Sequence, residues 1–166
     1  MTPNRHGSAV NEFPSELEIV TTRQFDAPIE LVFDVLTKPE HLRHWFAPFN
    51  DVLTKCSVDL RVGGSYHIAA VTPDGTECSF RGTYSEVKPP TRTVATWLFE
   101  GWPDAHAVET TELRETDGVT TLTMTLAFRD KAGRDHMTRF DGQEDGYNKM
   151  EDYLRSLLDQ KEAVSG

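Results

Sequence analysis

Apolar residues recur at every second position over most of this chain and at every third or fourth position near its end. Leu17, Ile19 and Phe25 share one parity around Thr21 and Arg23, which predicts a strand over 17–25. Asp26-Ala27-Pro28 then changes the period, and Pro28 suits a first helical turn. Ile29, Val32, Phe33 and Leu36 follow at the spacing of one helical face. Pro39 interrupts that helix, and a second short helix runs from Glu40 into the aromatic cluster Trp45, Phe46 and Phe49.

From there to about residue 129 the pattern is that of antiparallel strands. Cys56, Val58, Leu60 and Val62 alternate with Lys55, Ser57, Asp59 and Arg61, and Gly63-Gly64 signals a hairpin. Tyr66, Ile68 and Ala70 continue beyond it. After Pro73-Asp74-Gly75 come Cys78, Phe80, Gly82 and Tyr84 on one face. The stretch 93–100 is apolar on both parities, with Val94, Trp97, Leu98 and Phe99, as in a covered central strand. The stretch 108–115 is rich in Thr and Glu and only weakly patterned. Asp117-Gly118 is a tight-hairpin signal, and Leu122, Met124, Leu126 and Phe128 form the clearest alternation in the chain.

The period then becomes helical: Tyr147, Met150, Tyr153, Leu154, Leu157 and Leu158 make one stripe, with Glu151, Asp152, Arg155 and Asp159 on the expected wet face. Phe140 lies two turns upstream, and Gly142 and Gly146 weaken the helix between them. The predicted order is strand, two short helices, six strands and a long helix. Such a sheet and helix must bury their apolar faces on each other. The expectation is an α+β fold, with a curved antiparallel sheet of about seven strands around a long C-terminal helix. A flexible tail is expected over 1–15, one domain over 16–160 and a short tail over 161–166.

Composition narrows the function. The net charge is -10, from 17 basic and 27 acidic residues in 166, which speaks against a nucleic-acid or anionic-membrane partner. No apolar run suggests membrane insertion, and the polar first fifteen residues lack the apolar core of a secretory signal, so a cytoplasmic location is expected. Cys56 and Cys78 read as small buried hydrophobes, with a disulfide or reactive thiol as the alternatives.

Several words resemble a known family. These are Arg23-Gln24-Phe25-Asp26-Ala27-Pro28 with Val32-Phe33; Pro39-Glu40-His41-Leu42 with Trp45; Asp59-Leu60-Arg61-Val62-Gly63-Gly64-Ser65-Tyr66; Gly82-Thr83-Tyr84-Ser85-Glu86-Val87 with Pro89-Pro90 and Trp97; and Gly146-Tyr147 before Met150 and Leu154. In order over residues 16–160, they resemble the SRPBCC (START-like) superfamily, in the branch named after the heat-shock-protein-90 ATPase activator. Tyr147 stands where that family usually has Trp. The resemblance implies a helix-grip fold with a deep cavity but no single reaction, because relatives include lipid carriers, polyketide cyclases, co-chaperone domains and self-sacrificing resistance proteins.

The expected function is therefore to hold a small hydrophobic or aromatic molecule, lipid- or polyketide-like, between sheet and helix. The expected lining is Trp45, Phe46 and Phe49 from the short helices; Tyr66, Ile68, Phe80, Trp97, Phe99, Leu122 and Met124 from the strands; and Phe140, Tyr147 and Met150 from the last helix. The same residues could instead fill a solid core. An empty apolar cavity of about 300 Å³ would cost roughly 7 kcal/mol at the slope seen for large-to-small core substitutions, so it persists only where function keeps it.

The alternatives are a cofactor-free cyclase, dehydratase or hydrolase using the same cavity, and a chaperone-interacting domain. For an enzyme, His136 near the last helix is the acid–base candidate and Tyr66 a polar cavity residue. Glu112 or Glu109 is the second candidate, if the weakly patterned strand turns one of them inward; a wet sheet edge would explain both. His67 should face outward. His41 and His44, spaced i, i+3, lack the further ligands of a metal site, so no metal and no cofactor are expected. No nucleophile elbow, phosphate loop or dinucleotide fingerprint occurs. The sequence fits a monomer or a homodimer.

Overall fold

In a computed structural model, residues 4–46, 52–100, 105–138 and 142–165 are described. They form eight strands and four helices: β1 (Val10–Glu12), β2 (Glu18–Phe25), α1 (Ile29–Thr37), α2 (Pro39–Trp45), β3 (Val52–Val58), β4 (Ser65–Val71), β5 (Glu77–Lys88), β6 (Arg92–Glu100), β7 (Ala105–Thr116), β8 (Val119–Phe128), α3 (Lys131–Met137) and α4 (Gly142–Ser165). The strands make one antiparallel sheet in the order β1-β2-β8-β7-β6-β5-β4-β3. The chain thus adopts the expected α+β helix-grip architecture, with a C-terminal helix against a curled sheet.

Local chemistry explains the turns. Asp117 and Gly118 both adopt positive φ, 53° and 80°, which closes the β7–β8 hairpin at the pair Thr116 and Val119. Gly63 also has positive φ. Gly82 is required for another reason: a Cβ there would meet the Thr96 carbonyl oxygen at 1.7 Å and the Tyr66 ring at 2.9 Å. The β5–β6 ladder shifts register just beyond it, between Tyr84 and Glu86. That irregularity lets the sheet curl over its inner face.

Two elements exceed the sequence reading. β1 adds an edge strand beside β2, within the expected N-terminal tail. α3 precedes α4, capped by the Asp130 carboxylate accepting from the Gly133 N–H at 2.8 Å. Residues ahead of β1 also meet α4: the Arg5 N–H donates to Glu151 Oε1 at 2.8 Å and the Gly7 N–H to Asn148 Oδ1 at 3.3 Å.

The core gathers Phe25, Val32, Val35, Leu122, Met150 and Leu154 from β2, α1, β8 and α4, all almost wholly inaccessible. The backbone of α4 comes closest to α2 and α1 rather than to the strands, whereas α3 approaches β7 and β8. Glu151 departs from the expected wet face of α4. It is buried, and its Oε1 accepts from Arg23 Nη2 at 3.1 Å, while the Arg23 side chain has no accessible surface. An inward arginine on β2 demands this partner, because an unpaired buried guanidinium costs several kcal/mol.

Candidate functional site

The inner face of the sheet follows from strand alternation. On β6, Thr93, Ala95, Trp97 and Phe99 point inward and are buried. On β8, Leu122, Leu126 and Phe128 do the same, with Met124 between them keeping part of its surface accessible. β7 lies between these strands, so it is not the wet edge that its composition allowed. Its inward residues share parity with buried Ala107 and Leu113, and are Glu109 and Thr111.

Glu109 is the central feature. Across the ladders it stands opposite Ala95 of β6 and Leu126 of β8, and Ala95 in turn pairs with Tyr84 of β5. Loss of hydration alone pushes its carboxyl up from 4.5 to about 7. Yet the side chain keeps part of its surface accessible. Glu109 is thus desolvated and still reachable. Among the described residues Glu109 has neither a hydrogen bond nor an ion pair. Its charge acts on two hydroxyls: burial, and then Glu109, raise the pKa values of Tyr66 and Tyr84. Tyr66 Oη donates to the Thr96 carbonyl at 3.3 Å.

Beside this group runs a chain of rings. Phe80 meets Phe46 at 5.6 Å, Trp97 at 5.6 Å and Phe99 at 5.2 Å between centroids, and Trp97 stands edge-on to Phe128 at 5.8 Å. Such contacts fix ring orientations beyond simple burial. Phe46 and Phe80, like Met124, are only half-buried although they belong to this inner cluster. Tyr147 of α4 reaches over from the helix side, its hydroxyl 3.9 Å from Met124 Sδ and its ring 6.1 Å from Phe25.

The expected lining residues therefore divide. Trp45, Tyr66, Ile68, Trp97, Phe99, Leu122, Tyr147 and Met150 are buried and serve the core, with Trp45 Nε1 donating to the Val35 carbonyl at 2.9 Å. Phe46, Phe80 and Met124 keep accessible surface beside the inner face. Phe49 and Phe140 lie outside the described residues.

The acid–base candidates divide as well. Glu112 is exposed on the outer face and bonded to Arg92, which also binds Glu86 at 2.8 Å. His136 of α3 is half-buried and borders the ring cluster, with its ring 6.2 Å from that of Phe99. His41 and His44 both lie on Tyr153, one hydrogen-bonded to its hydroxyl at 2.6 Å and the other stacked at 4.6 Å. The single three-ligand grouping among the described residues is His6, Glu151 and Asp152, and Arg23 already engages its glutamate.

Two concavities open on the surface. One of about 760 Å³ runs over the outer face of the sheet, with Ser65, His67, Arg81, His106 and Arg129 at its polar walls. The other, of about 400 Å³, lies between α1, α2 and α4 and is walled by Leu31, Leu157 and Leu158. The first is built mostly from residues facing away from Glu109, although Tyr66, Trp97 and Ala107 also border it, and the second includes none of the ring cluster.

A family model described as "Activator of Hsp90 ATPase homolog 1-like protein" matches residues 26–159, and the chain belongs to that family. Solved structures of the same fold include a Rhodobacter sphaeroides protein with a TM-score of 0.82 and 22% identity, covering 89% of this chain and 99% of that one. A Nitrosomonas europaea protein has a TM-score of 0.75 and 25% identity over 88% and 99% of the two chains. A Staphylococcus epidermidis protein has a TM-score of 0.68 and 28% identity over 90% and 93%. No curated protein matches the chain in sequence.

Proposed function

We propose, for a member of the activator-of-Hsp90-ATPase-like family, that the interior between the sheet and α4 holds one small, largely apolar molecule with a single polar anchor at Glu109. The family's fold is that of a ligand-binding domain in general, and the nature of the ligand is the finer inference drawn here. The observation that carries it is Glu109 itself: an inward carboxyl, desolvated, reachable and without a protein partner. A purely structural core does not retain such a group. Burying it costs free energy and returns nothing unless a second molecule completes its hydrogen bonds.

The surrounding residues support the apolar part. Phe46, Phe80 and Met124 offer accessible apolar surface beside Trp97, Phe99 and Phe128. Ala95 and Ala107 are small where larger side chains would close the space beside Glu109 and Trp97. Flat or elongated molecules of modest size suit such walls, since ligand pockets combine apolar lining with a few placed polar groups.

A second reading draws on the same carboxyl. A glutamate that changes protonation near pH 7 is suited to move a proton on a bound molecule. On that reading Glu109 replaces Glu112 and His136 as the first residue to test.

Native mass spectrometry of freshly purified protein, followed by denaturation, tests the binding reading. A bound species released on denaturation supports it. A ligand at 100 times its dissociation constant adds about 2.7 kcal/mol, or roughly 5–11 °C in Tm at this size. A bare mass, together with no thermal shift across lipids, amines and polycyclic aromatics, contradicts it.

A further inference from the structure

Resting on the ligand-binding reading, we propose that the ligand is a hydrophobic cation, an aromatic or alkyl amine whose ammonium group is received by Glu109 and the neighbouring rings. Three observations on this chain carry the choice of charge.

The first is the inventory of inward charges on the sheet. Among the described residues these are Glu109 and Arg23, and Arg23 is already held by Glu151 at 3.1 Å. Among the described residues the sheet's inner face therefore offers an incoming molecule one unpaired charge of its own, and it is negative. An anionic ligand such as a fatty acid would meet like charge at Glu109, and an unpaired guanidinium among the described residues, Arg43 of α2, acts on Cys56 of β3 rather than on Glu109. A cationic ligand would meet its complement where hydration is excluded and attraction is least screened.

The second is the character of the walls. Trp97, Phe80, Phe99 and Phe128 form a connected cluster, and the faces of such rings attract cations within about 6 Å. This chain uses the same contact elsewhere, with the Arg23 guanidinium 4.9 Å from the Phe25 ring centroid. The third is the field of the whole molecule. A net charge of -10 raises the local concentration of cations and lowers that of anions.

The groups facing Glu109 are few. Among the described residues Tyr84 of β5 and Tyr66 of β4 are the titratable ones, Ala95 of β6 and Leu126 of β8 flank it, and His136 of α3 lies with its ring 6.2 Å from that of Phe99. An arriving ammonium therefore acts on one carboxyl and should drive it to ionise. Binding below neutral pH then releases a proton, and affinity falls as the solution is acidified through pH 7.

The test uses three probes with one ring system and different heads: 2-naphthylmethylamine, 2-naphthylmethanol and 2-naphthoate. Their affinities are measured by calorimetry at pH 8 and pH 6 on the full chain and on Glu109→Gln. The expected result is at least tenfold tighter binding of the amine than of the alcohol at pH 8, with the carboxylate weakest. That preference should shrink severalfold at pH 6 and vanish in Glu109→Gln, while the alcohol binds both proteins alike. Calorimetry in buffers of different ionisation enthalpy should show proton release with the amine alone. An alcohol that binds as tightly as the amine, or an amine preference that survives Glu109→Gln, overturns the cation and leaves the cavity standing. No binding by any of the three heads, with no species released on denaturation, removes the cavity reading and this one with it.

Discussion

Glu109 and Glu151 are both carboxylates drawn into the interior, and they are treated in opposite ways. Glu151 is met by the Arg23 guanidinium and by the Arg5 N–H, on a helix that the N-terminal residues cross. Glu109 is met by Ala95, Leu126 and two tyrosines at a distance and, among the described residues, by no donor or cation. The first has its ionic partner within the chain, although Arg23 Nε and Glu151 Oε2 stay buried without a hydrogen bond. The second is complete only when something else arrives. Burial alone therefore does not mark a functional carboxylate; burial without a partner does.

Removing the partnered carboxylate should have the largest effect. Glu151→Ala leaves Arg23 buried and unpaired and should cost about 3–5 kcal/mol, read from chemical denaturation. The double change Arg23→Met with Glu151→Leu should recover most of that loss, since two apolar groups of similar size replace the pair.

Glu109→Gln should act in the other direction. The folded chain holds the Glu109 proton up to about pH 7, whereas the unfolded chain releases it near 4.5. Stability should therefore fall as pH rises from 4.5 to about 7 and stay level, for this group, above that. The full difference is at most about 3.4 kcal/mol, from 1.36 kcal/mol per unit of pKa. Glu109→Gln removes it, so the variant should be more stable than the parent by about 1–3 kcal/mol at pH 8 and equal to it near pH 4. A variant that is destabilised at pH 8 would mean that Glu109 has a partner after all.

Ala107→Leu should produce a smaller change. In a filled core the added atoms would cost about 1–3 kcal/mol. Beside an open space they should cost less than about 1 kcal/mol while abolishing any ligand-induced shift in Tm. The smallest effect belongs to Glu112→Gln, on the outer face, which should stay within about 0.5 kcal/mol and leave ligand binding unchanged.

Much of the frame could be read in the sequence because it is periodic. The alternation from Leu122 to Phe128, the Asp117-Gly118 turn and the stripe of α4 all rest on local chemistry. α3 was not legible in the same way. Lys131–Met137 carries almost no apolar stripe, and its signal is the single cap at Asp130.

The site was harder to read for a physical reason. β7 carries two small alanines and Leu113 as apolar markers of its inner face, so threonines and glutamates leave its orientation open until β6 and β8 are placed on either side. Glu112 then falls outward to Arg92, and Glu109 inward. Glu151 was hidden differently. A helical wheel assigns it to solvent, and only Arg23, 128 residues earlier in the chain, makes that direction interior.

The most direct test is the titration of Glu109 itself, followed by the side-chain carboxyl 13C shift in NMR and assigned with Glu109→Gln. The account predicts a midpoint near 7 in the empty protein and a clear fall when 2-naphthylmethylamine is bound. A midpoint at the ordinary glutamate value near 4.5, unmoved by any ligand, would mean that the carboxyl is hydrated or paired and that no site is built around it.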